Sequence, residues 1–260
     1  MKVILFDLDG TLLPLDTEEF IENYVKMLSW EMKTLIPQDL FVKKLWESTY
    51  AMINNTDPGK TNKEVFWENF FEGIECEREL ILTKIGDFYK NRFPELKKVM
   101  KPNPISSFIL KEAESIGLEL VIATNPIFPE IAIRERLRWI NAENFSFKLI
   151  TTYENMHFTK PRLEYYEEIL SIIGKAPEEC LMVGNDVEED LIASKLGIKT
   201  FLVIDYMINR NGIEPKPDYA GSIEDLFYFI KNMGGNHIER IRCCPRTCKS
   251  SFPLSGIPRT

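Results

Sequence analysis

Short apolar runs recur along most of this chain, and segments with helical periodicity separate them. The runs cover residues 3–6, 118–123, 147–150, 180–183 and 199–204. Helical patterns occupy residues 105–115, 165–173 and 191–196, and Gly197 stands where the last of these would end. Strands that alternate with helices usually form one parallel sheet that is covered on both faces. We therefore expect an α/β fold with helices on both faces of a mostly parallel sheet.

Residues 16–97 show a different pattern, with no convincing strand. They divide into amphipathic segments at about 16–35, 38–54, 61–73 and 77–92. Asp16 is followed three residues later by Glu19, and Thr61 by Glu64, which is typical of helix N-termini. The pattern predicts an all-α insert that interrupts the α/β part just after its first strand.

These patterns divide the chain into two domains and a tail. The predicted boundaries are 1–15 and 98–233 for a discontinuous, Rossmann-like core domain, 16–97 for a helical cap domain, and 234–260 for a disordered tail. The tail is rich in Gly, Pro, Ser and Arg and has no periodicity. Its cysteines, Cys243, Cys244 and Cys248, match no common zinc-binding spacing, and we predict no function for them.

The composition limits the possible partners. The chain has 260 residues, of which 44% are hydrophobic, and its formal net charge is −8. A nucleic-acid-binding protein would need clustered positive charge, so this class is not expected. No apolar run approaches the roughly 20 residues that span a membrane. Asp7 and Asp9 interrupt the apolar N-terminus before it could serve as a signal peptide. We therefore expect a cytoplasmic protein that acts on neither nucleic acids nor membranes.

The segment 7–11, with the sequence DLDGT, directly follows the first apolar run. Active sites of open parallel sheets lie beyond the carboxyl ends of the strands, so this loop is in a suitable place. Gly10 allows the chain to bend, and Asp7 and Asp9 can then face one cavity. One carboxylate can act as a nucleophile and the other as an acid and base. The alternative is a pair of acidic residues at an ordinary turn, with no chemical role.

This segment resembles the signature of the haloacid dehalogenase (HAD) superfamily, which has three further elements in a fixed order. Thr124 matches the second element, a Thr or Ser that ends a later apolar strand. Lys160, followed by Pro161, matches the third, a lysine before a helix. Residues 184–190 match the fourth, an acidic cluster after a strand. The chain thus resembles the phosphatase branch of this superfamily, with a helical cap inserted after the first strand.

The fourth element departs from the family pattern at one position. It usually begins Gly-Asp, whereas here Gly184 is followed by Asn185 and then by Asp186. Either the Asp186 carboxylate or the Asn185 amide oxygen could bind a metal ion, and the preference of hard cations for charged oxygen favours Asp186. Asp190 could bind the ion through water or orient Lys160.

The resemblance implies a magnesium-dependent reaction that begins with attack of Asp7 on phosphorus. Mg²⁺ would be held by the Asp7 carboxylate, the Asp9 main-chain carbonyl and Asp186, and it would offset the repulsion between the nucleophile and a phosphate ester. Lys160 would add a fixed positive charge. Asp9 would protonate the leaving oxygen and later accept a proton from water. The expected catalytic residues are Asp7, Asp9, Thr124 and Lys160, and the expected substrate-binding residues are Thr11, Thr124, Asn125 and Lys160.

The expected function is hydrolysis of a small phosphorylated metabolite through an aspartyl-phosphate. Haloacid dehalogenases lack an Asp two residues after the nucleophile, because a leaving halide needs no proton, so Asp9 argues against that activity. A phosphotransferase or phosphomutase of the same superfamily and a phosphate-accepting receiver domain are the alternatives. The helical cap implies a substrate small enough to be enclosed. The sequence names neither the substrate nor the oligomeric state.

Overall fold

The centre of the molecule is a parallel sheet. The computed structural model describes residues 1–101 and 103–234. Within these residues the sheet has six strands in the order β3-β2-β1-β4-β5-β6. The strands are β1 (Val3–Phe6), β2 (Glu119–Ile122), β3 (Phe147–Ile150), β4 (Cys180–Gly184), β5 (Lys199–Val203) and β6 (Tyr219–Gly221). All neighbouring pairs are parallel, which confirms the predicted α/β, Rossmann-like class.

Helices connect the strands and form the insert. They are α1 (Thr17–Met32), α2 (Gln38–Ile53), α3 (Asn62–Phe71), α4 (Arg78–Asn91), α5 (Ile105–Ser115), α6 (Glu130–Trp139), α7 (Leu163–Ile173) and α8 (Ile223–Met233). Short 3-10 helices occupy Phe93–Val99, Pro177–Glu179 and Leu191–Leu196.

Two hydrophobic clusters cover the two faces of the sheet, and β1 contributes to both. Ile4 and Phe6 belong to a cluster that includes side chains of α5, α6 and α8. Val3 and Leu5 point the other way, into a cluster with side chains of α7. Because every residue of β1 is fully buried, the strand is held from both sides, and the loop that follows it starts from a rigid position.

Helices α1–α4, which we call the insert, lie between β1 and α5, where the sequence pattern predicts helices. The side chain of Asp16 accepts a hydrogen bond from the backbone N–H of Glu19 at 3.0 Å and so caps α1. Thr61 and Glu64 form a reciprocal capping box at the start of α3. The insert shares one hydrophobic cluster with a face of the sheet. The exact domain boundaries at 15/16 and 97/98 stay predictions.

Hydrogen bonds also join the start of α3 to the core. The backbone N–H of Asn62 donates to the carbonyl of Met156 at 2.8 Å, and that of Lys63 donates to the carbonyl of Tyr153 at 2.7 Å. The Asn62 side chain is fully buried and donates to the carbonyl of Pro126 at 3.2 Å. The insert is therefore also attached to the core by hydrogen bonds, in addition to its two chain connections.

Some elements differ from the sequence prediction. β6 and α8 were not predicted, and the segment at 191–196 forms a 3-10 helix rather than a regular α-helix. The predicted tail at 234–260 lies outside the described residues apart from Gly234. No helix in the described part of the chain is long and apolar enough to cross a membrane.

Candidate active site

The predicted site residues come from the carboxyl ends of adjacent strands. β1 pairs in parallel with both β2 and β4, and the ends of the three strands are nearly level. Asp7 directly follows β1, Thr124 lies two residues after β2, and Asn185 directly follows β4. Parallel pairing therefore brings these residues to one edge of the sheet, where ligands of such folds bind.

Lys160 lies between two buried carboxylates. Its Nζ atom is 2.9 Å from Asp7 Oδ1 and 2.6 Å from Asp190 Oδ1. All three side chains are buried. Burial alone would lower the pKa of the ammonium, but Asp190 and Asp7 outweigh this effect and hold the pKa of Lys160 well above its ordinary value. Lys160 is therefore a fixed cation in direct contact with Asp7.

The negative charge of the two carboxylates, when both are ionised, exceeds the single positive charge of Lys160. Burial raises the pKa of both Asp7 and Asp190, and Lys160 opposes the shift in each. Asp190 also accepts the backbone N–H of Asp186 at 2.9 Å through Oδ2. A Cβ atom on Gly184 would lie 2.0 Å from that oxygen, so only glycine allows this approach. A further cation near Asp7 would favour ionisation of the whole cluster.

Thr11 connects Asp7 to Asn185. Its hydroxyl is 3.1 Å from Asp7 Oδ2 and 3.0 Å from Asn185 Oδ1. The amide nitrogen of Asn185 donates to the carbonyl of Tyr206 at 2.6 Å, which fixes the orientation of the amide. Gly10 has φ +79, and a Cβ atom there would lie 2.3 Å from Asn185 Nδ2. The absence of a side chain at Gly10 therefore leaves room for Asn185 to pack against the DLDGT loop.

The Asp186 carboxylate is already engaged by other groups. Oδ1 accepts the backbone N–H of Glu188 at 3.0 Å and that of Glu189 at 2.9 Å. Oδ2 lies 2.5 Å from Nη1 of Arg210. Burial raises the pKa of Asp186, against the hydrogen bonds and the guanidinium. Burial also raises the pKa of Glu189, to about 7. The choice of Asp186 over Asn185 as a metal ligand stays a prediction, and this geometry does not favour it.

Asp9 forms an ion pair that the sequence did not suggest. Its Oδ2 atom contacts Nη1 of Arg136, which lies on α6. The Asp9 side chain is 16% exposed and that of Arg136 is fully buried. The Asp9 side chain is therefore only partly buried, whereas its partner lies within the core.

Asn125 and Thr124 accept hydrogen bonds from Lys160 and from Tyr165 on α7. Asn125 Oδ1 accepts the backbone N–H of Lys160 at 3.3 Å, and its Nδ2 donates to Glu189 Oε2 at 3.2 Å. The carbonyl of Thr124 accepts the hydroxyl of Tyr165 at 2.9 Å. Hydrogen bonds therefore join the third sequence element, at Lys160 and the helix after it, directly to the second, at Thr124 and Asn125.

The oxygens around Asp7 suit a hard cation. A hydroxyl has one proton, so Thr11 can satisfy only one of Asp7 Oδ2 and Asn185 Oδ1 at a time. Carboxylate, amide and main-chain carbonyl oxygens are the ligands that Mg²⁺ accepts. In the described residues no group of three or more His, Cys, Asp or Glu side chains could hold a metal ion. A magnesium site here would therefore need amide or carbonyl oxygens beside Asp7.

Sequence reasoning missed Arg136 and Arg210. Arg136 stands between Arg134 and Arg138, which are both exposed. The available signal was its position on the buried face of α6, where a charged residue needs a partner. Arg210 lies in a loop after β5, and no pattern in the sequence distinguishes it.

Known proteins resemble this chain in sequence over most of its length. A family model described as haloacid dehalogenase-like hydrolase matches residues 4–203. A glyceraldehyde 3-phosphate phosphatase of Methanocaldococcus jannaschii is 25% identical over 238 residues, which cover 90% of this chain and 98% of that protein. A phosphoglycolate phosphatase of Aquifex aeolicus is 28% identical over 207 residues, which cover 78% of this chain and 85% of that protein.

Solved structures share the fold. A HAD phosphatase from Thermococcus onnurineus has a TM-score of 0.54 at 20% identity, covering 88% of this chain and 98% of that one. An L-2-haloacid dehalogenase from Xanthobacter autotrophicus has a TM-score of 0.54 at 15% identity, covering 90% and 99%. Phosphatases and dehalogenases thus have the same architecture, and likeness at this level establishes the fold alone. The family model matches most of the length of this chain. The chain therefore belongs to the haloacid dehalogenase-like hydrolases.

Proposed function

We propose that this hydrolase removes the phosphate group from a small phosphorylated metabolite and that Asp7 is transiently phosphorylated. The observation that carries the proposal is the contact of 2.9 Å between Asp7 Oδ1 and the buried ammonium of Lys160. A phosphate monoester is an anion and is repelled by a carboxylate. The fixed ammonium offsets this repulsion where the new bond forms, and it costs no reorganisation during the reaction.

In the first step an oxygen of Asp7 attacks phosphorus in line with the ester oxygen. The bond between phosphorus and the ester oxygen breaks, and Asp9 gives its proton to that oxygen, so the alcohol leaves as a neutral molecule. Lys160 keeps its proton and stays beside the transferring group. The Thr124 hydroxyl, at the end of β2, is suited to bind a phosphoryl oxygen.

In the second step water attacks phosphorus and Asp9 takes up the proton that the water loses. The bond between Asp7 and phosphorus breaks, inorganic phosphate leaves, and both carboxyl groups return to their starting states. Asp9 thus acts first as an acid and then as a base. A dehalogenation reaction would use no proton in its first step, so the presence of Asp9 supports phosphate esters as substrates.

The residues that would hold Mg²⁺ are Asp7, the main-chain carbonyl of Asp9, and either Asn185 or Asp186. We favour Asn185, because its amide oxygen and Asp7 Oδ2 contact the same hydroxyl at 3.0 and 3.1 Å. When bound, the ion supplies positive charge that neutralises the phosphoryl oxygens. Asp190 would act through Lys160, which it contacts at 2.6 Å.

The substrate class follows from the insert and from the relatives. The insert shares one hydrophobic cluster with the core helices α5 and α6, and an active site beside such an insert would accept only a substrate small enough to be enclosed. The relatives named above act on glyceraldehyde 3-phosphate and phosphoglycolate, which are both small phosphorylated acids or aldehydes. We propose a metabolite of this size, in the cytoplasm, and a panel that includes both compounds, ranked by kcat/KM, would identify it.

The Asp7→Asn variant tests the nucleophile. The exchange keeps the size of the side chain but removes the charge, so hydrolysis of p-nitrophenyl phosphate in the presence of Mg²⁺ should be abolished. Asp87→Asn is a matched control on the exposed surface of α4 and should retain full activity. Activity above about a tenth of wild type in Asp7→Asn would refute the assignment, since loss of a nucleophile costs several orders of magnitude.

A further inference from the structure

The side chain of Arg136 is charged, yet it lies completely buried on the apolar face of α6. Its exposed fraction is 0%, although Arg134 and Arg138 on the same helix lie at the surface. A guanidinium stays charged at any physiological pH, and its burial is unfavourable without a partner. The partner is Asp9, the acid and base of the proposed reaction.

The ion pair joins only one nitrogen of the guanidinium to only one oxygen of the carboxylate. Nη1 of Arg136 contacts Asp9 Oδ2, and Nε donates at 3.4 Å to the carbonyl of Ala132 in its own helix. Within the described residues, Arg136 Nη2 and Asp9 Oδ1 have no hydrogen-bond partner although both atoms are buried. A bidentate pair would bond both carboxylate oxygens. Here one oxygen of Asp9 is anchored and the other is uncommitted.

Two aromatic rings hold the guanidinium in place. Its central carbon lies 4.5 Å from the ring centroid of Phe128 and 5.5 Å from that of Phe20, and the two centroids are 6.0 Å apart. Phe128 belongs to the loop after β2, whereas Phe20 belongs to α1 of the insert. Rings at this distance attract a cation and restrict its movement. Arg136 is therefore positioned by contacts other than Asp9 and can serve as an anchor for it.

We propose that Arg136 is a positioning residue that holds Asp9 Oδ2, so that Oδ1 meets the leaving oxygen of the substrate. The inference rests on the proposed function, because it needs Asp9 to transfer a proton. In that step the proton moves from Asp9 to the leaving oxygen as the bond to phosphorus breaks, and Arg136 keeps all its protons. This role also accounts for a buried carboxylate oxygen without a partner, which is otherwise unfavourable.

The dependence of the rate on the leaving group tests the inference. An alkoxide leaves poorly without a proton, whereas p-nitrophenolate leaves well without one, so alkyl phosphates depend far more on Asp9. Arg136→Met should lower kcat/KM about 100-fold for the best alkyl phosphate of the metabolite panel, and less than about fivefold for p-nitrophenyl phosphate. The value of kcat/KM is suitable because it covers the steps up to release of the alcohol.

The matched control is Arg134→Met, which removes an exposed arginine from the same helix and should leave both rates unchanged. Asp9→Asn should show the same bias against the alkyl ester. Adding Arg136→Met to Asp9→Asn should not change the ratio of the two rates further, because the anchored group is already inactive.

Circular dichroism and thermal unfolding establish whether each variant folds. If Arg136→Met does not fold, the experiment uses Arg136→Lys instead, because this variant retains the buried charge. The point charge of lysine cannot reproduce the guanidinium geometry, so the alkyl rate should still fall at least about fivefold more than the nitrophenyl rate. Equal losses of kcat/KM for both esters in a folded Arg136 variant would overturn the inference. The proposed function would still stand in that case if Asp9→Asn lowers kcat/KM more for the alkyl ester than for the nitrophenyl ester. Without any bias in Asp9→Asn, the proposed role of Asp9 fails, and that of Arg136 fails with it.

Discussion

Replacement of Lys160 by methionine should destabilise the fold in a strongly pH-dependent way. The exchange keeps much of the volume but removes the ammonium that lies 2.9 Å from Asp7 and 2.6 Å from Asp190. At an effective dielectric constant of about 20, each contact contributes about 6 kcal/mol of attraction, much of which offsets the loss of hydration. Because two buried carboxylates remain without a cation, we expect a net loss of about 3–5 kcal/mol at pH 8.

The loss should shrink as the pH falls. Burial already raises the pKa of Asp7 and Asp190, and Lys160 is the main group that opposes this shift. Without the ammonium, both carboxyl groups hold their protons more tightly in the folded chain than in the unfolded chain. Such a group destabilises the fold once the pH exceeds its unfolded pKa, near 4, and the effect is complete above its folded pKa. The deficit of Lys160→Met should therefore be large at pH 8 and small near pH 4.

Urea unfolding in the presence of EDTA, at both pH values, measures these free energies without interference from a metal ion. Lys199→Met is a suitable control, because Lys199 contacts Asp218 at the same distance of 2.6 Å but is 54% exposed. Exposed pairs contribute at most about 1 kcal/mol, so the control should lose little at either pH. A loss below about 1 kcal/mol for Lys160→Met at pH 8, or a loss that does not depend on pH, would refute the reasoning.

EDTA should stop turnover and Mg²⁺ should restore it, and activity that is indifferent to chelation would exclude the metal. Asn185→Ala should raise the Mg²⁺ concentration for half-maximal activity at least about tenfold, and Asp186→Ala less than about threefold; the reverse order would assign the ligand to Asp186. Asn62→Ala leaves the Pro126 carbonyl without its buried donor and should cost about 1–3 kcal/mol in thermal unfolding. Asn23→Ala, which removes an exposed hydrogen bond within α1, should cost much less, and equal costs would contradict a structural role for Asn62.

The sequence predicts best what local interactions determine. The helices of the insert begin within a few residues of their predicted starts, because Asp16 and Thr61 cap them through neighbours three residues away. The end of β1 was equally predictable, since a short apolar run gives way abruptly to DLDGT. α8 carries comparable signals, a capping box at Ser222 and a buried apolar face, so its omission was an error of interpretation. β6 has only three residues and is defined by its pairing with β5.

For the candidate site, the sequence predicted residues but not the contacts between them. The resemblance to the haloacid dehalogenase superfamily assigned Asp7, Thr124 and Lys160 to one site, and the structure places the Lys160 ammonium 2.9 Å from Asp7. The partner of Asp9 could not be found in this way, since Arg136 is 127 residues away in the chain and has arginines close by on either side. The preference for Asp186 relied on charge alone. It could not anticipate that Arg210 and two backbone N–H groups occupy that carboxylate.

The hydrogen bonds from Asn62 and Lys63 to the core oppose any movement of the insert that lifts α3 away from the core. An enzyme of this kind must admit an ester and release an alcohol and phosphate in every cycle. Any swing of the insert that lifts α3 breaks both backbone bonds, at a net cost of about 0.5–1.5 kcal/mol each. An open form of this type would be roughly 1–15% of the population at equilibrium. If substrate exchange requires α3 to lift, the frequency of this opening sets an upper limit on the turnover number.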